Sequence, residues 1–203
     1  MCLLLAALVA LTLTQASASA QERVVVAFGD SLTAGLGVPP EQSYPALLAQ
    51  RLKAEGYPYR VVNAGVSGDT TAGGLRRVDW ALRLNPQIVI VELGANDALR
   101  GQDLGGVRDN LDQVVGRFRS AGARVLLAGM RLPPNYGPRY SGDFERLYRE
   151  VALKHGAAFM PFFLDGVGGL ARLNQADGMH PTAEGYRIIV DRLWPYLLPL
   201  LKR

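Results

Sequence analysis

The chain has 203 residues, a length that suits one domain with a single hydrophobic core. Apolar residues make up 49% of the chain and charged residues 20%, an ordinary globular composition that argues against disorder, collagen and coiled coils. The net charge of +4 is mild and the basic residues are scattered, with Arg76-Arg77 as the densest pair, which argues against the compact basic stripe of a nucleic-acid-binding protein.

The first segment in chain order, residues 1–20, has the features of a secretory signal peptide. It contains no Lys, Arg, Asp or Glu, and its apolar stretch at 3–13 is too short to span a bilayer of ~30 Å as a helix. Ala18-Ser19-Ala20 gives the small-x-small cleavage pattern, so we expect cleavage near Ala20 and a mature chain that begins at Gln21. No basic residue precedes the apolar core, and a retained apolar anchor or helix is the alternative.

The single cysteine, Cys2, would be removed with this segment. We therefore expect no disulfide, zinc–thiolate site or cysteine nucleophile in the mature chain. Cys2 precedes the apolar core rather than following it, which is unlike a lipid-attachment site. These features indicate a periplasmic or secreted bacterial protein that is not stably inserted in a membrane after cleavage.

Beyond residue 20, short apolar runs alternate with longer helical patterns. The runs are nearly continuous rather than alternating, as expected for strands of a sheet that is covered on both faces. The predicted strands lie at 24–28, 60–63, 88–93, 124–130 and 158–160. Five segments have the apolar stripe of a helix, and their first apolar residues are Leu47, Leu75, Val107, Phe144 and Tyr186. The first four segments end at Gly56, Pro86, Gly122 and Gly156, in that order, and the fifth ends after Leu197. Ser43 and Thr182 are the predicted N-caps of the first and last helices.

This alternation predicts an α/β fold with right-handed crossovers and a parallel sheet between two helical layers. The pattern contains neither an internal repeat nor a linker, so residues 21–203 are expected to form one domain. Ligands of such folds bind at the carboxyl ends of the strands. Every candidate for chemistry follows a strand, in the order Ser31, Gly68, Asn96 and, after the fifth strand, Asp177 and His180.

Ser31, in Gly29-Asp30-Ser31-Leu32, is the predicted nucleophile, and it needs a base within ~2.6–3.2 Å. His155, just before a helix-ending glycine, is interpreted as a surface residue that interacts with helix carbonyls. His180 lies in a loop before Pro181 and is therefore the predicted base. Asp177, three residues earlier, can orient its imidazole.

Attack on a carbonyl builds negative charge on oxygen, and each preorganised donor to that oxygen lowers the barrier by roughly 3 kcal/mol. The candidates for this oxyanion hole are the N–H of Ser31, the N–H of Gly68 and the side-chain amide of Asn96. A turn glycine and a helix cap are the alternative interpretations of Gly68 and Asn96. Asp30 and Asp97 are interpreted as structural hydrogen-bonding residues, and Asp30 is expected to brace the Ser31 turn.

Four sequence blocks resemble those of the SGNH (GDSL-type) hydrolases, in order and spacing: Gly29-Asp30-Ser31-Leu32, Gly68, Gly94-Ala95-Asn96-Asp97 and Asp177-x-x-His180-Pro181. The resemblance extends from about residue 24 to residue 197. Residues 63–71 (NAGVSGDTT), 91–94 (VELG) and 131–137 (RLPPNYG) look more narrowly like the exported thioesterase I/protease I/lysophospholipase group with its arylesterases.

The resemblance implies a three-layer α/β/α sandwich with a flavodoxin-like five-stranded parallel sheet. It implies an exported enzyme without metal or cofactor that hydrolyses acyl esters and thioesters. Ser31, His180 and Asp177 would be its nucleophile, base and orienting acid, and Ser31, Gly68 and Asn96 would form its oxyanion hole. The loop at 131–140 would be mobile and cover the acyl chain.

We therefore expect a serine hydrolase, monomeric, whose partner is a small-molecule acyl ester or thioester. The apolar loop residues Leu132, Pro133, Pro134 and Tyr136 suggest an aliphatic or aryl acyl group, and Phe162 and Phe163 belong either to the core or to the flank of the acyl pocket. Two alternatives remain open: a sugar or cell-wall O-deacetylase on the same scaffold, and a non-catalytic binding module. A nucleotide-binding Rossmann protein is disfavoured, because the loop after Ser31 lacks the third glycine of the phosphate-binding fingerprint.

Overall fold

The computed structural model describes residues 23–203. The expected signal segment, its cleavage near Ala20, the mature start at Gln21 and Cys2 lie outside the described residues.

The fold is organised around one sheet of five parallel strands. The strands are β1 (Arg23–Gly29), β2 (Tyr59–Gly65), β3 (Ile88–Glu92), β4 (Arg124–Ala128) and β5 (Ala158–Met160). Their order across the sheet is β2-β1-β3-β4-β5, which is the flavodoxin-like order. The predicted strands and sheet type are thereby confirmed, and the strand order reverses between β1 and β3.

The described residues form seven α-helices, of which the first six lie between strands and the last follows β5: α1 (Ser31–Ala34), α2 (Tyr44–Ala54), α3 (Thr71–Leu82), α4 (Ala95–Leu99), α5 (Leu104–Ser120), α6 (Pro138–His155) and α7 (Ala183–Leu197). Helices α3, α5 and α6 pack side by side in one layer, and α2 packs on α7 in the other. Short 3₁₀ turns lie at Pro40–Gln42, Pro134–Tyr136, Ala171–Leu173 and Leu198–Leu200. The five predicted helices are present, and α1 and α4 are additional.

The two predicted N-caps are confirmed, and one helix starts earlier than expected. Thr182 caps α7 as predicted, because its hydroxyl accepts from the Gly185 N–H. Ser43 occupies the predicted N-cap position of α2, and its hydroxyl donates to the Pro40 carbonyl at 2.7 Å rather than accepting from the helix. Helix α6 begins at Pro138, a residue type favoured in the first turn, so the segment predicted as a loop at 131–140 ends earlier than expected.

The central strands form the core of the sheet. Every residue of β3 is buried, and so are residues 24–28 of β1, which matches their near-continuous apolar sequence. Glu92, the last residue of β3, is an exception to that apolar character, since its side chain is ionisable and fully buried. At the same level of the sheet Gly29 pairs with both Gly65 and Glu92, so the three neighbouring strands end together.

Candidate active site

The turn after β1 places Ser31 at the carboxyl edge of the sheet. Asp30 is the N-cap of α1, and its Oδ1 accepts from the Leu32 N–H at 3.0 Å, which is the bracing role predicted for it. Gly29 is required by close approach, because a Cβ there would overlap the Thr33 hydroxyl and the Glu92 carboxyl. The chain can therefore turn from strand to helix within one residue of the nucleophile candidate.

Ser31, His180 and Asp177 lie in one hydrogen-bonded row. The Ser31 Oγ lies 2.9 Å from the His180 Nε2, and the His180 Nδ1 lies 2.6 Å from the Asp177 Oδ2. A carboxylate can only accept, so the hydrogen on His180 lies on Nδ1 and Nε2 is free to accept from the serine hydroxyl. The arrangement can remove a proton from Ser31 and return it to another group.

Asp177 is held as a charged acceptor by three donors. Its Oδ1 accepts from the N–H groups of His180, at 3.0 Å, and Met179, at 2.9 Å. The backbone N–H of His180, then its ring and then the Met179 N–H lower the pKa of Asp177 to about 2. The carboxylate is therefore ionised over the range in which a histidine can serve as a base.

The loop that carries Asp177 and His180 is tied back to the first loop. Asn174 and Pro181 form an antiparallel bridge, and the Gln175 N–H donates to the His180 carbonyl at 2.7 Å. The Gln175 side chain donates to the Leu36 carbonyl at 2.7 Å, just beyond α1. These contacts fix the imidazole against the helix that begins with Ser31.

Gly68 and Asn96 follow β2 and β3. Gly68 has a φ of +79°, and a Cβ there would meet no atom within 4 Å, so the positive φ rather than space favours glycine. The Asn96 side-chain amide donates one hydrogen to the Asp30 Oδ2 at 2.9 Å, which links α4 directly to the Ser31 turn. Its second hydrogen is available to a ligand.

Arg77, which belongs to the densest basic pair of the sequence, connects three of these segments. Its guanidinium donates to the carbonyls of Gly29 and Ala64, each at 2.7 Å, and to the Asp69 carboxylate at 2.7 Å. It also stacks 3.9 Å from the centre of the Phe28 ring. Arg77 therefore fixes the ends of β1 and β2 and the turn containing Gly68. No local sequence signal reveals this role, because both carbonyl partners belong to distant strands.

Asp97 and His155 are used structurally. The Asp97 carboxylate accepts from the Thr71 N–H and hydroxyl at the start of α3, as its structural interpretation predicted. The His155 Nε2 lies 2.9 Å from the Asp112 Oδ1, so the predicted interaction with helix carbonyls is wrong. Asp112, on the neighbouring helix α5, also binds Lys154.

The segment after β4 packs against α4. Leu132 is half-buried and Pro133 is exposed, and the Tyr136 hydroxyl donates to the Leu99 carbonyl at 2.9 Å. The Tyr140 hydroxyl donates to the Gln102 carbonyl at 2.7 Å. These candidates for acyl binding are thus placed beside the helix that carries Asn96.

The two phenylalanines after β5 differ in their surroundings. Phe163 is fully buried and packs edge-on against the Tyr44 ring, with centroids 5.2 Å apart, so it belongs to the core. Phe162 is half-buried beside Arg131, whose guanidinium lies 5.0 Å from its ring centre.

Comparison with known proteins gives a consistent result. The profile of the GDSL-like lipase/acylhydrolase family matches residues 27–188. Esterase TesA of Pseudomonas aeruginosa is 48% identical over 200 residues, which cover 98% of each chain. Thioesterase 1/protease 1/lysophospholipase L1 of Escherichia coli K12 is 36% identical over 195 residues, covering 96% of this chain and 90% of that one. A crystal structure of TesA superposes with a TM-score of 0.86 at 47% identity, over 88% of this chain and 100% of that chain, and it confirms the predicted fold class.

Replacing Arg77 should destabilise the fold far more than replacing its neighbour. Arg77→Met removes the cationic partner of the part-buried Asp69 carboxylate and one donor from each of two strand-end carbonyls, and we expect a loss of about 3 kcal/mol in the free energy of unfolding. Arg76 is exposed, so Arg76→Met should change it by less than about 0.5 kcal/mol. Urea titrations of both variants measure this, and equal losses would contradict the bridging role of Arg77.

The Asp177 hydrogen bonds predict an acid-dependent stability. The folded pKa of about 2 lies below the ordinary value of 3.8, so the stabilisation is complete above the ordinary value and is lost as the pH falls through the folded one. The melting temperature of the native chain should therefore exceed that of Asp177→Asn at about pH 5, and the gap should narrow toward about pH 2. Thermal unfolding by circular dichroism gives the gap, and a pH-independent value would contradict the prediction.

Proposed function

This chain belongs to the GDSL-like lipase/acylhydrolase family, and from that premise we propose that it works through an acyl-enzyme on Ser31. It is a hydrolase of carboxylic esters and thioesters, as its similarity to an esterase and a thioesterase indicates. The observation that supports Ser31 best is the hydrogen-bonded row from its Oγ through His180 to Asp177.

The first displacement forms the acyl-enzyme. The Ser31 Oγ attacks the acyl carbon while its proton passes to the His180 Nε2, and the carbonyl π electrons move to oxygen. The charged Asp177 stabilises the resulting imidazolium and keeps its orientation. When the tetrahedral intermediate collapses, the bond to the alcohol or thiol breaks, and the leaving group takes the proton from Nε2.

The oxyanion is assigned to three donors. These are the N–H of Ser31 in the first turn of α1, the N–H of Gly68, and the free hydrogen of the Asn96 amide. N–H groups in the first turn of a helix have no acceptor within the helix and are therefore available to a ligand. Asp30 and Arg77 support this assignment, because they hold the segments that carry the donors in place.

The second displacement releases the acid. Water replaces the leaving group, loses its proton to the His180 Nε2 and attacks the acyl carbon. Collapse of the second tetrahedral intermediate breaks the bond to the Ser31 Oγ, which recovers the proton from His180. No cofactor enters these steps.

An apolar acyl group suits the surroundings of Ser31. Three large apolar side chains near these loops are about half exposed. They are Leu36 (46%), in the segment after β1, Val66 (48%), directly after β2, and Met179 (49%), directly before His180. We assign these residues, with Leu132, Pro133 and Tyr136, to contact with an aliphatic or aryl acyl group. Exposed apolar side chains grouped on a surface are typical of binding sites.

The sugar deacetylase is not favoured, because both curated relatives described above are named for ester or thioester hydrolysis. We further propose that residues 21–203 form the mature enzyme, exported to the periplasm or beyond after cleavage near Ala20. Among residues 23–203 no helix has the length and apolarity needed to cross a membrane. The monomeric state stays a prediction.

Replacing Ser31 or His180 should abolish turnover. We expect no hydrolysis of p-nitrophenyl acetate, butyrate or octanoate, or of a medium-chain acyl-CoA, by Ser31→Ala or His180→Ala, with the fold intact. The chain from Gln21 is the reference, and its turnover should rise with acyl length if the apolar rim binds the acyl group. Normal activity in either variant would contradict the assignment of the catalytic triad. Hydrolysis of the acetate ester alone would favour the sugar deacetylase function.

Removing the Asn96 amide should lower kcat selectively. Asn96→Ala lacks one oxyanion donor, and we expect kcat to fall by ~10²–10³ while KM changes much less. Steady-state kinetics on p-nitrophenyl butyrate measures both constants. A decrease of less than about tenfold in kcat would contradict the assignment of Asn96 to the oxyanion hole.

A further inference from the structure

Two carboxyl groups are buried beneath the Ser31 turn, and the proposed mechanism assigns no step to either. Asp30 is 1% exposed and Glu92 is 0% exposed. Asp30 directly follows β1 and Glu92 ends the neighbouring β3, where Gly29 pairs with Glu92 in the sheet. The two carboxyl groups are close enough for each to shift the pKa of the other.

The donors around each carboxyl group differ. Asp30 accepts from the Leu32 N–H at 3.0 Å and from the Asn96 amide at 2.9 Å, one donor to each oxygen. Glu92 accepts from the Thr33 hydroxyl at 2.8 Å through Oε2, and the Asp30 backbone N–H also interacts with its carboxyl group, whereas its buried Oε1 has no donor among the described residues. Two ionised carboxylates could only repel each other, so one proton between them removes the conflict. The donor pattern places that proton on Glu92.

The other ionisable groups near the pair do not supply a compensating positive charge to Glu92. Tyr44, Tyr148 and Tyr186 surround it, and burial raises the pKa of each phenol, so these side chains are neutral. His180 acts electrostatically on Asp30, whose pKa it lowers. The Arg77 guanidinium reaches the same strand end but is bonded to the Gly29 carbonyl and to Asp69.

The electrostatics agree with the geometry. Burial raises the pKa of Asp30 to about 6, against the lowering effect of its hydrogen bonds to Leu32 and Asn96. Burial, and then the charge of Asp30, raise the pKa of Glu92 well above its usual range. Near neutral pH the pair therefore has one negative charge, on Asp30.

We propose that Glu92 is a positioning residue that stays protonated at neutral pH and donates a hydrogen bond to Asp30, so that the Asp30 carboxylate holds Asn96 and the Ser31 turn in register. The catalytic part of this inference rests on the proposed function, because Asn96 is there an oxyanion donor. A protonated Glu92 also keeps a second negative charge away from the place where the oxyanion forms.

Two substitutions separate this role from simple packing. In Glu92→Gln the amide can donate to Asp30 and accept from Thr33, so it reproduces the protonated acid. Glu92→Leu fills the space but donates nothing. We expect Glu92→Gln to retain kcat within about threefold, and Glu92→Leu to lose at least about thirtyfold in kcat with KM changed less than about threefold.

Val89→Ala is the matched control, since Val89 is fully buried on the same strand and faces the other side of the sheet. It should lower the melting temperature with little effect on kcat. A loss of kcat in Glu92→Gln equal to that in Glu92→Leu, or a similar loss in Val89→Ala, would overturn the positioning role.

A second measurement tests the proton itself and does not depend on activity. An acid whose folded pKa is raised loses stability as the pH rises between its unfolded and folded values. Glutamine has no such loss, so the melting temperature of Glu92→Gln should exceed that of the native chain by a gap that widens from about pH 6.5 to about pH 8.5. A constant gap would mean that Glu92 is ionised in the fold, and it would overturn the proposal.

The stability test is repeated in a Ser31→Ala background. In that background the pH dependence of the melting temperature still shows whether Glu92 is protonated, even if Ser31 is not the nucleophile. Failure of the proposed function and failure of this inference therefore give different results. If Glu92→Leu does not fold, the kcat of Glu92→Gln and the pH dependence of its melting temperature still test whether Glu92 is protonated and positions Asp30.

Discussion

The common ending of β2, β1 and β3 is the constraint on which the site depends. Gly29 pairs with Gly65 on one side and with Glu92 on the other, so the segments that leave these strands start at one level of the sheet. Ser31, Gly68 and Asn96 each follow within four residues of these paired positions. Because the strand order reverses between β1 and β3, a crevice opens at this point of an α/β sheet. The loop after β5 completes this arrangement, because it places His180 beside Ser31.

Close packing at that edge buries polar groups, which must be satisfied there. Arg77 satisfies the carbonyls at the ends of β1 and β2, and Asp30 satisfies the start of α1 and the Asn96 amide. A buried polar group without a partner destabilises a fold, so these side chains specify one arrangement of the loops. The Asp30–Glu92 pair has the same effect, provided that one proton lies between the two carboxyls. Rigidity of the site and burial of charge are therefore two aspects of one set of contacts.

The sequence predicted those parts of the molecule whose cause is local. The run at 88–91 is continuously apolar, and Asp177 lies three residues from the histidine to which it is hydrogen-bonded. Arg77 and Glu92 were missed, because their partners Gly29 and Asp30 are distant in sequence and become neighbours only through strand pairing. An ionisable residue at the end of an apolar strand was the available signal for Glu92. The helices α1 and α4 are too short for a helical period to be recognised.

The proposed activity depends on the activation of Ser31 as the nucleophile by His180. Reaction with an organophosphate that modifies activated serines, followed by mass spectrometry of the tryptic peptide 24–51, tests it most directly, because that peptide contains both Ser31 and the control residue Ser43. We expect one phosphoryl group per chain, on Ser31, with labelling that becomes much slower in His180→Ala. Labelling of Ser43 or of another peptide, or an unchanged rate without His180, would contradict it.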